Sequence, residues 1–237
     1  MRIISLLLPI LLLVSCSSRV KQHKVDRGPQ VVHVNWFGQN CFLFTSSIGT
    51  TLLTDPFDPA ATHLAKPKGV RSDIVLISQE NSNVNHAEFV TNSPQVFRSA
   101  SGVGANRSYG MLIRGVPTFV NPGVPNILGM NVIYTWTMDG VRFCHLGSLR
   151  NEILDQDIVA IGDVDVLFIP YGNEGNLTDA KRAKIAEQLR ARIIVPMGAR
   201  LGTGGLRGKV VHLGSRSFDV AKAELPSETT ILVPASR

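Results

Sequence analysis

From Val31 onward the chain alternates short apolar runs with turns rich in glycine, proline and asparagine, and this alternation constrains its fold more than any other feature. Runs such as VVHVNWFG, DIVLIS and DVDVLFIP have the length of β-strands and are too short for helices of a core. The stretch YTWTMDGVRFCHL places Asp139 and Gly140 between two such runs, which is the sequence pattern of a tight β-hairpin. The alternation therefore predicts many short strands joined by turns.

One segment is predicted to be a helix. Thr178 is suited to the N-cap position, Asp179 follows in the first turn, and alanine and leucine recur at helical spacing as far as Arg190. A shorter helix is predicted within 85–91, and the glycine-rich stretch 200–209 is predicted to be a loop. Strands and helices together indicate an α/β protein.

The first 30 residues have a different composition. Arg2 precedes an apolar run, 3–14, that is too short to cross a bilayer and has the length of the apolar part of a signal peptide. The run ends in LVSC, which resembles a bacterial lipobox, with Cys16 as the lipid-bearing (palmitate-type) residue. The alternative is an ordinary signal peptide with an incidental cysteine. The expected organisation is a lipoprotein signal peptide at 1–15, the lipidated cysteine and a polar tether at 16–30, and a folded domain at 31–237.

This N-terminus implies a location in the cell envelope. The residue after Cys16 is Ser17 rather than aspartate, which by resemblance to Gram-negative sorting rules favours the outer membrane, facing the periplasm. The chain carries 24 Lys and Arg against 18 Asp and Glu, and the resulting charge of +6 is scattered along it. Scattered basic residues suit an anionic membrane face and lack the clustered footprint of nucleic-acid binding. The expected partners are the membrane, through the N-terminal lipid, and an envelope protein or a neutral small ligand, with no nucleic acid.

Four longer segments follow one another along the chain in this order: WFGQNCFLFTSSIGTTLLTDPF, SDIVLISQENSNVNH, GMNVIYTWTMDGVRFCHLGSL and VDVLFIPYGNEGNLTDAKRAKIAEQLRARIIVPMGAR. The ordered series, which covers 31–200, resembles the metallo-β-lactamase-fold hydrolases, especially their lactonase-like and phospholipase-D-like branch. The resemblance implies a four-layer αββα sandwich with its site at one edge, between the two sheets.

The resemblance also identifies where metal ligands would lie. In that family, loop histidines and aspartates hold zinc-type ions that activate a water molecule. Where the family has SHxHxDH, this chain has SQENSNVNH. The aligned ligand positions hold Gln79, Asn81, Asn83, Val84, Val120, Ser148 and Gly198. Amide and aliphatic side chains bind such ions far more weakly than imidazole or carboxylate, so neither metal ligands nor catalytic residues, and no cofactor, are expected. His86 follows the motif directly and is grouped with this remnant cleft.

The replacements at the first three positions keep hydrogen-bonding ability and remove charge. We interpret Gln79, Asn81 and Asn83 as a neutral hydrogen-bonded network built over a former metal site. In such a network Asn83→Asp would bury an unpaired carboxylate and raise its pKa. An alternative replacement site would combine His86, His145 and Glu174.

Two other pairs of residues are assigned structural roles. Asp55 and Asp58 in TDPFDP are predicted to form turns, with their carboxylates accepting hydrogen bonds from backbone amides. Cys41 and Cys144 lie in apolar segments and are predicted to be separately buried thiols, although export would permit a disulfide.

The sequence therefore predicts a membrane-anchored bacterial lipoprotein whose metallo-β-lactamase-like domain is a pseudoenzyme that acts in binding or envelope assembly. The alternative is a metal-dependent hydrolase, of lactonase or phosphodiesterase type, with an atypical site. Metal content and a hydrolysis assay separate the two.

Overall fold

The computed structural model describes residues 28–119, 129–171 and 177–236. Its strands are β1 Val31–Gly38, β2 Cys41–Thr45, β3 Thr51–Thr54, β4 Ile74–Ile77, β5 Gln95–Arg98, β6 Gly104–Ser108, β7 Met111–Phe119, β8 Met130–Met138, β9 Val141–His145, β10 Val166–Pro170, β11 Ile193–Met197, β12 Lys209–His212, β13 Ser217–Ala221 and β14 Thr230–Val233. Its helices are α1 Pro59–Thr62, α2 Ser99–Gly102, α3 Asp155–Ile161 and α4 Asp179–Leu189, with short 3-10 turns at Ala87–Phe89 and Lys222–Glu224.

The strands form two sheets, as the α/β sandwich requires. A six-stranded sheet has the order β13-β1-β2-β3-β4-β5, and an eight-stranded sheet has the order β12-β14-β11-β10-β9-β8-β7-β6. In each sheet one half is antiparallel and the other half, from β3 to β5 and from β9 to β12, is parallel. Parallel strands bring their carboxyl ends to one edge, and that edge carries the cleft described below.

The predicted hairpin and helix are both confirmed. Met138 pairs with Val141 across the turn, and Asp139 and Gly140 both have positive φ, as a tight hairpin turn requires. In α4 the Thr178 hydroxyl accepts a hydrogen bond from the Lys181 amide at 3.3 Å, and the helix ends at Leu189, before a left-handed Arg190. The predicted short helix within 85–91 is a single 3-10 turn.

The main core lies between the two sheets and is rich in aromatic rings. Phe42 and Phe44 of β2 point inward and contact Phe168 of β10, with ring centroids 4.7 and 5.3 Å apart. Tyr134 of β8 also joins the sheets, because its hydroxyl donates to the carbonyls of Ile77 and Phe97, both at 3.1 Å. These contacts fix the ends of β4 and β5 against the eight-stranded sheet.

The six-stranded sheet is apolar on its outer face too. Val75 and Ile77 of β4 belong to a second buried cluster with Phe57 and Phe89, while the alternate residues of β4 face the main core. A strand buried on both faces is expected to be apolar throughout, as IVLI is. The residues that cover this face come from the 3-10 turn at Ala87–Phe89 and from loops, so this outer layer is thinner than a regular helical layer.

The two cysteines in the described residues lie in different clusters. Cys41 belongs to the outer cluster and Cys144 to the main core, and both are buried free thiols. The prediction of separately buried thiols is confirmed. None of the helices in the described ranges is long and apolar enough to cross a bilayer.

Candidate functional site

A cavity of about 520 Å³, called the cleft from here on, opens where β4, β9, β10 and β11 end. Ligands of α/β proteins commonly bind outside the carboxyl ends of parallel strands, so this is the expected place for a site. The amide and hydroxyl side chains that line it are Gln39, Asn40, Gln79, Asn81, Asn83 and Ser148.

The aligned ligand positions converge on the cleft only in part. Five of them line it: Gln79, Asn81, Asn83, Val84 and Ser148. Gly198 directly precedes the lining residue Ala199, and Val120 lies outside the described residues. His86 does not line the cleft; its Nδ1 atom lies 3.8 Å from the Glu88 carboxylate.

The loop after β4 holds a smaller amide network than the sequence predicts. Asn81 donates through Nδ2 to the Gln79 side-chain oxygen at 2.8 Å, and Gln79 is 7% exposed. Asn83 takes part only through its backbone amide, which donates to Asn81 Oδ1 at 3.0 Å, and its side chain is exposed. The prediction that Asn83 belongs to a buried network is wrong, because the loop turns it toward solvent.

We therefore expect Asn83→Asp to leave the free energy of unfolding unchanged from mildly acidic to neutral pH. An exposed carboxylate keeps its hydration, so its pKa needs no shift and its charge costs little. Urea unfolding of the wild type and the variant over this pH range checks the expectation. A deficit that grows with rising pH would instead show that position 83 is buried.

A buried acid and a buried histidine lie beneath the cleft. Asp55 is 1% exposed, and its carboxylate accepts hydrogen bonds from the amide and the hydroxyl of Ser78, both at 2.7 Å. Burial raises the pKa of Asp55 to about 7, although the bonds from Ser78 and Asn40 favour the ionised form. The predicted bond from a backbone amide to Asp55 is confirmed, as is that from Ala60 to Asp58 at 2.8 Å.

His145 has both ring nitrogens engaged. Its Nδ1 accepts from the Gly147 amide at 3.2 Å, so Nε2 carries the proton and donates to the Asn40 carbonyl at 3.0 Å. Nδ1 lies 4.0 Å from the Asp55 carboxylate, and burial lowers the pKa of His145 to about 4. A ring held in this way is not free to bind a metal ion. The alternative site of His86, His145 and Glu174 therefore loses His145 as a ligand. Glu174 lies outside the described residues.

The loop after β9 is held by a residue that the sequence analysis missed. Asn131 of β8 is 3% exposed; its Oδ1 accepts from the Ser148 amide at 2.7 Å, and its Nδ2 donates to the Leu146 carbonyl at 3.0 Å. Asn40, also buried, donates through Nδ2 to Ser148 Oγ at 3.4 Å. A lone asparagine inside the apolar strand MNVIYTWTM was the available signal, because a buried amide needs such partners.

Gly198 has a backbone conformation that favours glycine. Its φ is +127°, and its amide donates to the Gln39 carbonyl at 3.1 Å, which links the end of β11 to the turn between β1 and β2. A histidine at this position would be strained. The backbone conformation at position 198 therefore favours glycine over histidine.

These residues do not fit the metal site that the resemblance implies. Zinc-type ions are held by imidazole, thiolate or carboxylate donors, whereas the cleft presents amides and a hydroxyl at the aligned positions. Nowhere in 28–119, 129–171 or 177–236 do three or more His, Cys, Asp or Glu side chains gather in a metal-binding group.

Comparison with known proteins gives consistent similarities. The family model of the beta-lactamase superfamily domain matches residues 33–198. A "UPF0173 metal-dependent hydrolase" of Thermococcus onnurineus is 25% identical over 195 residues, covering 70% of this chain and 84% of that protein. A solved structure from Thermotoga maritima, of a protein assigned to the Zn-dependent hydrolases of the metallo-beta-lactamase superfamily, is 26% identical with a TM-score of 0.65, covering 86% of this chain and 98% of that one.

A second solved structure shares the fold. A protein of Parabacteroides distasonis assigned as a metal-dependent hydrolase is 18% identical with a TM-score of 0.55, covering 70% of this chain and 82% of that one. The names of the relatives from Thermococcus and Thermotoga are closer to the hydrolase alternative than to the expectation of an inactive domain.

Proposed function

The chain belongs to the beta-lactamase superfamily, in its metallo-β-lactamase fold, and we propose that within this hydrolase-like family it binds a ligand in the cleft without a metal ion. One observation supports the proposal: the aligned ligand positions that line the cleft hold Gln79, Asn81, Asn83, Val84 and Ser148. Amide and hydroxyl groups donate and accept hydrogen bonds without needing a cation to balance them. Such a lining suits recognition of a polar molecule.

Metal-dependent hydrolysis, of lactonase or phosphodiesterase type, is the second candidate function. It is favoured by the family match over 33–198 and by the relatives from Thermococcus and Thermotoga, which carry hydrolase names. This candidate requires metal donors other than the side chains at the aligned positions.

Metal content and activity separate the two candidates. The purified chain is analysed for zinc, manganese and iron, and is then assayed on a lactone and on a phosphodiester with and without added zinc. The binding proposal expects substoichiometric metal and no zinc-dependent turnover. Stoichiometric metal together with turnover that a chelator abolishes would replace it with the hydrolase.

We also propose that the domain is a lipoprotein anchored through Cys16 to the outer membrane, facing the periplasm, where an envelope protein or a small ligand would meet the cleft. The support is the run at 3–14, its LVSC ending and the polar stretch behind it. These residues lie outside the described ranges.

Cys16→Ser is expected to leave the chain unprocessed or to release it into the soluble fraction, because the acyl chains supply the membrane affinity at about 0.8 kcal/mol per buried methylene. Detergent phase partition of wild type and variant measures this. Unchanged partition of the variant into the detergent phase would contradict lipid anchoring.

A further inference from the structure

The charge of the cleft comes from arginines. Among the described residues that line it, the charged ones are Arg150, Arg182 and Arg200. Arg150 lies in the loop after β9 and Arg200 in the loop after β11, so both follow the carboxyl ends of strands in the eight-stranded sheet. Each is exposed, and neither makes an ion pair with any residue in the described ranges. The rim of the cleft is therefore positive, without a carboxylate in its described lining.

Arg182 has a different role. Its guanidinium donates to the carbonyls of Leu177 and Gly204 at 2.6 and 3.2 Å, pairs with the Asp179 carboxylate, and lies 4.5 Å from the centre of the Tyr171 ring. These contacts hold Arg182 in place and balance much of its charge. The two arginines that are free to meet a ligand are Arg150 and Arg200.

Gln79 supplies a second, independent feature. It is 7% exposed and lines the cleft, and its side-chain oxygen is fixed by the bond from Asn81. That bond leaves the amide NH₂ group of Gln79 with no acceptor among the described residues. Among the described residues, the buried side-chain atoms without a partner are Trp136 Nε1 and Gln188 Oε1, so the Gln79 nitrogen is open to the cleft rather than enclosed. This donor is therefore accessible to an acceptor atom of a ligand.

The Ser148 hydroxyl, which lines the cleft, also has a proton to donate. Ser148 Oγ accepts from Asn40 Nδ2, so the Ser148 hydroxyl hydrogen can point into the cleft. Two guanidinium groups, one amide NH₂ and one hydroxyl of the lining are thus available as donors. Guanidinium pairs bidentately with the oxygens of phosphate and carboxylate, and phosphate offers enough acceptor oxygens for all four groups.

We propose that the cleft binds a phosphate-type oxyanion, with Arg150 and Arg200 pairing with its charge and Gln79 and Ser148 donating to its oxygens. The inference rests on the proposed binding function and deepens it by naming the ligand class. A volume of about 520 Å³ lies within the usual range for a small-molecule site, about 300–1,000 Å³, so the phosphate would be one group of a larger ligand. That ligand is a free phosphate ester or the headgroup of a phospholipid.

The test is a calorimetric titration of the full chain with inorganic phosphate at constant ionic strength. The variants are the double change Arg150→Gln with Arg200→Gln, and Gln79→Met, which keeps the length of the side chain and removes its donor. The matched control is Arg71→Gln, because Arg71 is exposed, without an ion pair among the described residues, and precedes β4, at the opposite end from Gln79.

Wild type and Arg71→Gln are expected to bind phosphate saturably and alike. The double variant should lose about tenfold or more in affinity, and Gln79→Met should lose less, since hydrogen bonds to charged groups contribute more than neutral ones. Equal affinity of the double variant and the wild type would overturn the proposal. A response that occurs only when ionic strength changes, or that Arg71→Gln reduces equally, would overturn it as well.

Vesicles distinguish the two sources of the phosphate. The full chain carrying Cys16→Ser, which cannot attach through its own lipid, is mixed with phosphatidylcholine vesicles with and without phosphatidic acid. Binding that requires phosphatidic acid and both arginines assigns the oxyanion to a lipid headgroup. Phosphate binding in solution without vesicle binding assigns it to a free ester.

The same titration repeated with zinc distinguishes failure of this inference from failure of the proposed function. If phosphate fails to bind with or without zinc, the oxyanion assignment is wrong and a metal-free cleft for a neutral ligand stands. If zinc binds stoichiometrically and phosphate binds only in its presence, the metal-free binding function is wrong, and the oxyanion assignment through Arg150 and Arg200 is wrong with it.

Discussion

Asp55→Asn is expected to make the protein lose stability as the pH falls from about 6.5 to 4, whereas His145→Gln is expected to make it gain stability as the pH falls from about 7 to 3.8. In the wild type the two groups offset each other, so the pair itself adds little pH dependence between these limits. The opposite slopes arise because burial acts in opposite directions on the two groups: it raises the pKa of Asp55 and lowers the pKa of His145.

The signs follow from the protons that each state binds. Between pH 4 and 6.5 the unfolded chain carries a proton on His145 and none on Asp55, while the folded pair also holds one proton, on Asp55. Because the folded and unfolded states bind equal numbers of protons at these two groups, the pair gives the free energy of unfolding no pH dependence. Without Asp55 the folded state binds one proton fewer than the unfolded state, so stability rises with pH. Without His145 it binds one more, so stability falls as pH rises toward 7. Either slope is at most about 1.4 kcal/mol per pH unit.

Urea unfolding of the three proteins across this pH range measures the effect. Other acids titrate alike in all three, so the differences from wild type isolate the pair. Asparagine is a close replacement at position 55, because its oxygen can accept from the Ser78 amide and it tolerates the φ of +41° found there. Parallel pH profiles for all three proteins would show that Asp55 and His145 are not buried as a pair.

Gly147→Ala is expected to cost about 3 kcal/mol or more of unfolding free energy. Gly147 has a φ of +62°, and a Cβ atom there would lie 2.4 Å from Ser78 Cβ and 2.5 Å from Asn131 Oδ1. The left-handed backbone costs about 1–2 kcal/mol for alanine, and forcing atoms into a filled space adds about 1–3 kcal/mol. Movement of this loop would also disturb the bond between Asn131 and the Ser148 amide and so weaken ligand binding.

Gly110→Ala provides the matched control. Gly110 has a similar φ of +74°, but a Cβ atom there would have no other atom within 4 Å. The control should lose only the backbone contribution, about 1–2 kcal/mol. Chemical denaturation of both variants gives the difference. Equal losses would mean that the space around Gly147 is open and that the loop after β9 is not held as described.

Features set by neighbouring residues were predictable from the sequence, and features set by distant residues were not. Asp139-Gly140 encodes its turn locally, and Thr178 caps the helix that follows it, so both elements follow from short patterns. The burial of Asp55 depends instead on Ser78 and Asn40 of other loops, and no local pattern distinguishes a buried turn aspartate from an exposed one. The prediction that Asn83 is buried was wrong for the same reason, because the exposure of its side chain depends on how the whole loop lies against the cleft.

The place of the cleft arginines in the site was likewise not predictable from the sequence. Scattered along the sequence, Arg150 and Arg200 are indistinguishable from other basic residues. Only the parallel arrangement of β9 and β11 brings the two loops to one edge. The resemblance to a known fold predicted at which edge of the sheets the site lies. Which side chains line that edge could be read only from the structure.

The central claim, that the cleft works without a metal ion, is tested most directly by thermal unfolding of the full chain with chelator and with added zinc. The account predicts the same unfolding midpoint under both conditions, because amides at the aligned positions give the folded state no zinc affinity to link to its stability. A midpoint that rises with zinc in a saturable way, and falls when chelator is added, would contradict it.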